Sequence, residues 1–367
     1  MKITALILTI ASLFFNGYSL GSAYTPQTKN LEFIGHFFNK SSIAGEKYTG
    51  KESKYVWDEE GSFEAFELQR AQDRDFKILN LADIHFSDYG YRAFYSISVE
   101  AKIRALCEKE KPDLIILSGD FVCSDYNEYS IRRLADLMQS LEIPFAFVFG
   151  NHDREGNCDG NYLSDRLLAC PNCIFAKGDE RMGQGNYIIK IKNPDNSLAH
   201  AIFMMDSHSS IPNALQLQWL EKGAKELKNE YGEAISASVF EHIPLPEYDL
   251  AYEQAVNAKE EYDLKGEKNE KICCQRDENG LAQSSEMFEK IKQSGIIKNV
   301  FCSHDHMNDF SLNYEGIRLT YCMKIGKCSG YQPGFDGATV INIGSNGIKE
   351  FHHISKGRQI LRVDYEK

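Results

Sequence analysis

Three apolar segments in the first half of the chain each run directly into polar side chains, and this pattern constrains the fold more than any other feature. The segments FKILNLADIHF, DLIILSGDFV and FAFVFGNHD begin as runs of β-formers and end in Asp, Gly, Asn or His. Residues 99–110 and 129–141, which lie between them, have helical spacing. Apolar strands that alternate with helices indicate a parallel sheet that is covered on both faces. The sequence therefore predicts an α/β fold whose strand ends meet at one edge.

The second half of the chain is richer in predicted strands. GNYIIKIKN and HAIFMMDSH are expected to be neighbours, and residues 213–232 form a long amphipathic helix that ends at Gly232. Two further strands end in histidines, in ISASVFEHIPL and KNVFCSHDHMNDF, and the tail after them is β-rich. Two packed sheets with helices on the outside are the natural assembly of these elements.

The N-terminus has the features of a secretory signal peptide. Lys2 provides a short basic region, residues 3–15 are apolar, and small residues precede cleavage positions after Ser19 or Ala23. The alternative, an uncleaved anchor, is disfavoured because the apolar run is short, and no internal run is long enough to span a membrane. We therefore expect residues 1–23 to be removed and the protein to be secreted or to reach a vesicular, lysosome-like lumen.

The rest of the chain divides by composition. Residues 24–75 are polar with patchy apolar signals, and they predict an N-terminal extension that packs on or beside the main domain. Residues 76–367 contain the regular pattern of strands and helices and predict one large domain. Within that domain, residues 258–280 are so highly charged that we expect a solvated insertion instead of a core element.

The ten cysteines fit an exported protein, because disulfides persist outside the cytosol. The CPNC sequence at 170–173 has no second pair of the same kind, so we expect a structural disulfide with another cysteine there. Cys322 and Cys328 flank a short loop and are the best single candidate pair. Asn39 in NKS is the one glycosylation sequon of the chain, so the sequence also predicts a glycoprotein.

The formal net charge is −12, which argues against binding of a nucleic-acid backbone through the general surface. An anionic substrate would then need a local source of positive charge, and bound metal ions could supply it. Nothing in the sequence indicates a particular oligomeric state.

Five strand ends along the chain supply Asp, Asn or His. Any one of them could be an ordinary turn or a hydrogen-bonded histidine. Five in one chain, each after an apolar β-run, favour metal coordination and proton transfer at one edge. The residues concerned are Asp83, His85, Asp120, Asn151, His152, Asp153, His242, His304 and His306.

These residue types suit a site for two divalent ions. Two ions roughly 3.5–4 Å apart can hold a hydroxide and clamp both sides of an in-line displacement at phosphorus. One carboxylate can bridge the ions, and neutral imidazoles can fill other positions without cancelling the positive charge. Nitrogen and oxygen ligands without thiolates favour Zn, Fe or Mn over Ca, and the identity of the two ions stays open.

The ordered set Asp83-Ile-His85, Gly119-Asp120, 150–153, His242 and 304–306 resembles the motifs of the calcineurin-like metallophosphoesterases. The resemblance extends from residue 76 to roughly residue 350. It implies a four-layer α/β/β/α sandwich with a two-metal centre at one edge and a phosphoester as substrate.

The resemblance also implies a role for each residue. The ligands of the first ion would be Asp83, His85 and His306. The ligands of the second ion would be Asn151, His242 and His304. Asp120 would bridge the two ions, His152 would contact the phosphate or protonate the leaving group, and Asp153 would orient the imidazole of His152.

Further residues are candidate substrate contacts or supporting groups. Asn151 and His152 would contact the phosphate, and Arg154 and His208 could add contacts, although a surface charge and a structural histidine are the alternatives for these two. Asn308 and Asp309 could support the ligands from behind. Trp219, in QLQWL, is expected to lie in the core of a helix and not to form a substrate platform.

Within the family, FEHIPLPEY and SHDHMNDF are similar to the purple-acid-phosphatase-like branch. That branch has a Tyr three residues after the bridging Asp, where this chain has Cys123, so the charge-transfer chromophore is expected to be absent. The Gly that usually precedes the last His-x-His is Ser303 here. The Asp-Arg-Gly of the Ser/Thr protein phosphatases is missing, because FVCSD follows Asp120 instead.

The sequence thus predicts a secreted metallophosphatase that hydrolyses phosphomonoesters by attack of a metal-bridging hydroxide. A phosphodiesterase, including a sphingomyelinase-like lipid hydrolase, would use the same ligands, although no cysteine-rich saposin-like module precedes the domain. A secreted metal-binding protein with a vestigial site is the alternative from another class, and the complete ligand set argues against it.

Overall fold

The computed structural model describes residues 51–57, 61–87, 92–207, 212–330 and 332–365. Several sequence-based predictions lie outside these ranges, namely the signal peptide, the Asn39 sequon and the candidate substrate contact His208. None of the helices within the described ranges combines the length and the apolar character needed to cross a bilayer.

Strands make up most of the regular structure in the described part of the chain. They are β1 (Lys51–Trp57), β2 (Gly61–Gln69), β3 (Phe76–Leu81), β4 (Leu114–Ser118), β5 (Phe145–Val148), β6 (Cys173–Ile174), β7 (Tyr187–Lys192), β8 (Leu198–Met204), β9 (Ala237–Phe240), β10 (Ile297–Cys302), β11 (Ser311–Tyr314), β12 (Ile317–Tyr321), β13 (Gly337–Gly344), β14 (Gly347–Ser355) and β15 (Arg358–Asp364). The helices are α1 (Arg92–Glu110), α2 (Asn127–Leu141), α3 (Gly160–Leu168), α4 (Ala214–Tyr231), α5 (Glu247–Ala255) and α6 (Glu286–Ser294).

The strands form two mixed sheets. One sheet has seven strands in the order β15-β14-β13-β3-β4-β5-β6, and its part from β3 to β6 is parallel. The other has eight strands in the order β1-β2-β7-β8-β9-β10-β12-β11, and its part from β8 through β9 and β10 to β12 is parallel. The carboxyl ends of the parallel strands are where loops of an α/β fold carry functional groups.

Two hydrophobic cores show how the layers are stacked. The first joins α1, α2 and α3 to the seven-stranded sheet through residues such as Ile103, Leu134 and Leu163, and it also contains Ile189 and Phe301 from the inner face of the other sheet. The second joins the outer face of the eight-stranded sheet to α4, α5 and α6. The order is therefore helices, sheet, sheet, helices, which confirms the predicted α/β/β/α sandwich.

Helix α4 illustrates how the sequence produces the outer layer. It starts with a capping box, in which the Asn213 side chain accepts from the backbone N–H of Gln216 and the Gln216 side chain accepts from the N–H of Asn213. Trp219, only 1% exposed, packs into the second core with its ring edge-on to Phe203. A fully buried side chain of this size stabilises the fold by about 1.5–3 kcal/mol.

Strand β2 belongs to the segment for which the sequence predicts an extension. It pairs in parallel with β7, from Ala65 opposite Ile188 to Gln69 opposite Lys192. The end of this segment is thus a strand of the eight-stranded sheet, and its apolar residues Phe66 and Leu68 are buried in the first core. The boundary of the domain at residue 76 stays a prediction.

All ten cysteines are unpaired in the structure. The predicted bond between Cys322 and Cys328 is not formed, because the two thiols have different surroundings. Cys322 follows β12 and is hydrogen-bonded to Thr339, whereas Cys328 belongs to the next loop and faces Arg92 and Lys324. Cys170 and Cys173 of the CPNC sequence are also free thiols.

Candidate metal centre

The predicted ligands follow strands of both sheets and meet where these strands end. Asp83 and His85 come after β3, Asp120 after β4, and Asn151 after β5, all in the seven-stranded sheet. Strands β9 and β10 of the other sheet are followed by further ligands, which are His242, His304 and His306.

Asp83, His85, Asp120 and His306 form the first group that could hold a metal ion, with one ligand atom of each within 4.8 Å of the others. The Nε2 atoms of His85 and His306 are 3.2 Å apart. The Nε2 of His306 lies 3.5 Å from Asp83 Oδ1, and the Nε2 of His85 lies 3.6 Å from Asp120 Oδ2. These four residues are the ones that the family resemblance implies for the first ion and its bridge.

The second group consists of Asp120, His242 and His304. The Nε2 of His242 is 3.3 Å from Asp120 Oδ2, and the rings of His242 and His304 are 5.1 Å apart. Asp120 thus belongs to both groups, which is the placement that a bridging carboxylate requires. Asn151 lies beside this carboxylate, because the N–H of the next residue, His152, donates to Asp120 Oδ1 at 2.9 Å.

Unpartnered polar atoms show that the residues fit metal ions. Buried polar atoms are normally hydrogen-bonded, since leaving one unsatisfied costs about 1–3 kcal/mol. In this cluster several potential ligand atoms are buried without a hydrogen-bond partner in the described part of the chain, and they include Asp83 Oδ1, Asp120 Oδ2, Asn151 Oδ1, His242 Nε2 and His304 Nδ1. A cation at each group would satisfy them.

His242 is oriented from behind by backbone and hydroxyl groups. Its Nδ1 lies 2.9 Å from the Ser118 carbonyl and 3.0 Å from the Ser303 Oγ. Because a carbonyl can only accept, Nδ1 carries a proton, so Nε2 is the atom that could bind a metal once its own proton has left. Ser303, which replaces the usual Gly, thus takes part in the hydrogen bonds behind the ligand.

Four of the predicted ligands have left-handed backbone conformations that non-glycine residues rarely adopt. The φ angles are 49° for Asp83, 50° for His85, 51° for Asp120 and 75° for His304. Such conformations cost on the order of 1–3 kcal/mol each and cluster at functional sites. The surrounding structure therefore holds these side chains at the site at the expense of local stability.

Two glycines allow the loops to approach each other closely. A Cβ atom on Gly119, whose φ is 90°, would lie 2.4 Å from the Nδ1 of His242. A Cβ atom on Gly150 would lie 2.1 Å from Asp120 Oδ1. Glycine is needed at both positions because any side chain would collide with a predicted ligand.

Asp153 does not orient the imidazole of His152, contrary to the sequence-based expectation. It is fully buried, and its carboxylate accepts from the backbone N–H groups of Asp120, Val122 and Gly150 at 3.0, 2.9 and 2.7 Å. Its side chain points inward because these three hydrogen bonds hold the carboxylate among buried backbone N–H groups. Asp153 thus fixes the loops that carry Asp120 and Asn151.

Glu155 is the hydrogen-bond partner of His152, a role that the sequence analysis assigned to Asp153. Its Oε2 is 2.6 Å from the Nδ1 of His152, within the single 3₁₀ turn that begins at His152. The His152 ring lies 5.6 Å from the ring of His85, so it faces the first group of ligands. Sequence analysis missed Glu155, although its spacing of three residues from His152 is a signal that could have pointed to it.

Arg154 is paired inside the protein. Its Nη2 donates to Asp206 Oδ2 at 2.8 Å, and its guanidinium stacks 4.3 Å above the ring of Phe149. The carboxylate of Asp206 is completely buried and also accepts from the N–H of Gln184. Because its guanidinium is held by these contacts, Arg154 is not among the proposed substrate contacts.

The charges of the cluster shift the pKa values of its members in opposite directions. Burial, with Lys324 nearby, lowers the pKa of His85 to about 4, and burial, with His242 nearby, lowers that of His304 to about 4. Burial would also lower the pKa of His242, but the Asp120 carboxylate raises it to about 10. Burial opposes ionisation of Asp120, yet His242 and His85 hold its pKa below the usual range.

Lys324 is a second group that sequence reasoning missed. It is 3% exposed, and its Nζ donates to the backbone carbonyl of Asp83 at 3.2 Å. Burial lowers its pKa to about 8, against the opposing charges of Asp83 and Asp120. No sequence signal marks it, because it lies 241 positions from the residue that it contacts.

The comparison with known proteins places the chain in a family. Residues 76–308 match the calcineurin-like phosphoesterase family, and this match covers more than half of the chain. The chain belongs to that family.

Two relatives and one solved structure illustrate the range of proteins that the chain is similar to. "Probable inactive purple acid phosphatase 14" of Arabidopsis thaliana is 25% identical over 312 residues, which cover 70% of this chain and 73% of that protein. "Phosphodiesterase YaeI" of Escherichia coli is 36% identical over 116 residues, 30% of this chain and 41% of that protein. A dimetal phosphatase from Danio rerio shares the fold with a TM-score of 0.51 and 12% identity, covering 80% of this chain and 100% of that one.

Proposed function

We propose that the protein is a dinuclear metal-dependent phosphatase that hydrolyses phosphomonoesters. The observation that carries this proposal is the shared position of Asp120 between two groups of potential ligands, several of whose ligand atoms are buried without a hydrogen-bond partner. Seven residues would hold the ions, and they are Asp83, His85, Asp120, Asn151, His242, His304 and His306.

Two divalent ions at these groups would supply a water nucleophile at neutral pH and neutralise charge on the phosphoryl oxygens. Zn, Fe or Mn would suit the nitrogen and oxygen donors. His152 would donate a proton to the departing alkoxide, or a hydrogen bond to the phosphate. Glu155 would hold the ring of His152 with Nδ1 as the donor, which directs Nε2 toward the substrate.

The charge of the site supports a monoester as the preferred substrate. Only two ligands, Asp83 and Asp120, are acidic, so two divalent ions would leave a net charge of about +2. The protein carries a net charge of −12, so the positive potential acts mainly at short range, where a compact dianion gains most.

A phosphodiesterase is the second candidate, and the similarity to the E. coli phosphodiesterase favours it. The same ligands could act on a diester, so the ligand set does not separate the two activities. A vestigial site is disfavoured, because the ligand residues that the family resemblance implies are all present in the sequence, and six of the seven lie in the two groups that could hold a metal ion.

The experiment that separates the candidates compares nitrophenyl phosphate with bis-nitrophenyl phosphate on one metal-loaded sample, from acidic to neutral pH. We expect a higher kcat/KM for the monoester and competitive inhibition by vanadate. Faster cleavage of the diester at every pH would overturn the monoesterase proposal and support the phosphodiesterase. No turnover of either ester by a protein with both ions bound would support the vestigial site.

We further propose that the protein is exported. Lys2 and the apolar residues 3–15 support a cleaved signal peptide, and Asn39 would then be open to glycosylation. The ten free thiols of the structure provide no support for disulfides, so export rests on the N-terminal sequence alone. N-terminal sequencing of the mature protein, which we expect to begin after Ser19 or Ala23, would test this.

A further inference from the structure

The charged insertion contains a segment that is bonded closely to the last metal-binding loop. We call residues 265–273 the clasp, and residues 304–311, which include His304 and His306, the histidine loop. The clasp has no helix or extended strand, and hydrogen bonds join it to the histidine loop from Lys265 at one end to Cys273 at the other. Its composition predicts a solvated segment. In the structure, however, five of its backbone N–H groups donate hydrogen bonds to the histidine loop, and they belong to Lys265, Glu267, Asn269, Glu270 and Cys273.

One end of the clasp is joined to the histidine loop through backbone and carboxylate groups. Lys265 and Ser311 exchange both of their N–H and carbonyl groups, at 2.8 and 2.9 Å. Next to them, the N–H of Glu267 donates to Asp309 Oδ1 at 2.8 Å, and the N–H of Asp309 donates to the Glu267 carbonyl at 3.2 Å. This end resembles a short antiparallel pairing that fixes the register of the two segments.

The middle of the clasp is joined through one amide and one carboxylate. Asn308, which is 1% exposed, accepts from the N–H groups of Asn269 and Glu270 at 2.9 and 3.0 Å. In return, Glu270 Oε1 accepts from the N–H of Met307 at 2.5 Å. Met307 directly follows His306, so Glu270 holds the backbone immediately beside a predicted ligand.

The far end of the clasp is joined to the residue between the two histidines. The N–H of Cys273 donates to both carboxylate oxygens of Asp305, at 3.2 and 3.1 Å. The hydroxyl of Tyr321, from β12, donates to Asp305 Oδ2 at 2.6 Å. Asp305 is 5% exposed and lies between His304 and His306, so both ligands flank a residue that the clasp holds.

From these contacts we propose that the clasp is a positioning element that sets the affinity of the metal centre, with Glu270 as its principal side chain. Predicted ligands and residues bonded to the clasp alternate along the histidine loop, in the order His304, Asp305, His306 and Met307. Loss of the clasp contacts would therefore make the backbone more mobile on both sides of His306. Groups that hold ligands from behind typically contribute 10–100-fold to metal affinity. The inference rests on the metal centre of the proposed function and goes beyond it by assigning a role to the insertion.

The test measures the dissociation constants of Zn²⁺ and Mn²⁺ by competition with a chelator, without any substrate. Glu270→Ala should weaken binding about 10–100-fold, because the Met307 N–H loses its acceptor. Glu270→Gln keeps an oxygen that can accept this hydrogen bond, so it should restore affinity to within about threefold of the unchanged protein. Glu278→Ala is the matched control, since Glu278 is an exposed acid of the same insertion, and its affinity should not change.

A second readout separates positioning from general destabilisation. Met307 is only half-buried, so water can replace the lost acceptor. The thermal unfolding midpoint of the metal-free protein should therefore be nearly the same for Glu270→Ala and Glu278→Ala, while only the first binds metal more weakly. Equal metal affinities for all four proteins would overturn the role of the clasp. A protein without substitutions that binds no metal would instead overturn the proposed function, so the two failures are distinguishable.

Discussion

His152 is hydrogen-bonded to Glu155, with 2.6 Å between Nδ1 and Oε2, and not to the adjacent Asp153. The two acids thus have separate tasks. Asp153 is buried and fixes the loops of the metal centre, whereas Glu155 lies at the surface and holds the imidazole.

His152→Ala should keep its metal ions and lose turnover, because His152 supplies a proton donor and is not a ligand. We expect kcat on alkyl phosphates to fall about 10²–10⁴-fold. The loss should be smaller for nitrophenyl phosphate, whose leaving group needs no proton. Metal content and kcat measured on both substrates check this, and equal losses would instead favour simple phosphate binding.

Glu155→Ala should reduce kcat far less than His152→Ala does. The side chains of His152 and Glu155 are 33% and 60% exposed, so the pair contributes at most about 1 kcal/mol, or roughly fivefold in rate. Glu155→Gln, which can still accept from Nδ1, should recover part of the loss on alkyl phosphates. A loss as large as that of His152→Ala would show that Glu155 does more than hold the ring.

Asp153→Ala should destabilise the fold, because three buried N–H groups lose their common acceptor. The free energy of unfolding should fall by about 3 kcal/mol or more, as measured by urea titration of the metal-free protein. Asp73→Ala, at an exposed acid, is the control and should stay within about 0.5 kcal/mol. If both variants had the same stability, the buried amide contacts of Asp153 would not be important for the fold.

The sequence could predict the fold, and it could place the candidate ligands at one edge of the sheets, because both depend on short-range patterns. Each candidate ligand follows an apolar strand directly, and parallel strands of one sheet bring their carboxyl ends to one edge. The core position of Trp219 could be read from helical spacing in the same way. The two-sheet sandwich followed from the number and order of these elements.

Other features depend on contacts between distant residues, and these could not be predicted. Arg154 pairs with Asp206, 52 positions away, which no local pattern indicates. The clasp looks like a solvated segment because its side chains are charged, whereas its contacts are made largely by its backbone. Cys322 and Cys328 are close in sequence but face different neighbours, so loop length alone gave the wrong pairing for this structure.

Metal binding should release a proton, because His242 is protonated in the metal-free protein and must be neutral to coordinate a metal. Burial would lower the pKa of His242, but Asp120 raises it from 6.5 to about 10. The protonated His242 therefore stabilises the metal-free fold fully below about pH 6.5, and this stabilisation is lost as the pH rises through about 10. Metal affinity should therefore increase with pH between these values. Calorimetry in buffers with different ionisation enthalpies should detect about one proton released near pH 7.5, and no release would contradict this assignment.

The central claim, a catalytic centre of two ions that share Asp120, is tested most directly by titrating the metal-free protein with Zn²⁺ or Mn²⁺ while the hydrolysis of nitrophenyl phosphate is measured. We predict that the rate rises until two equivalents of metal are bound and then levels off. A rate that saturates at one equivalent, or no hydrolysis after two ions have bound, would contradict the claim.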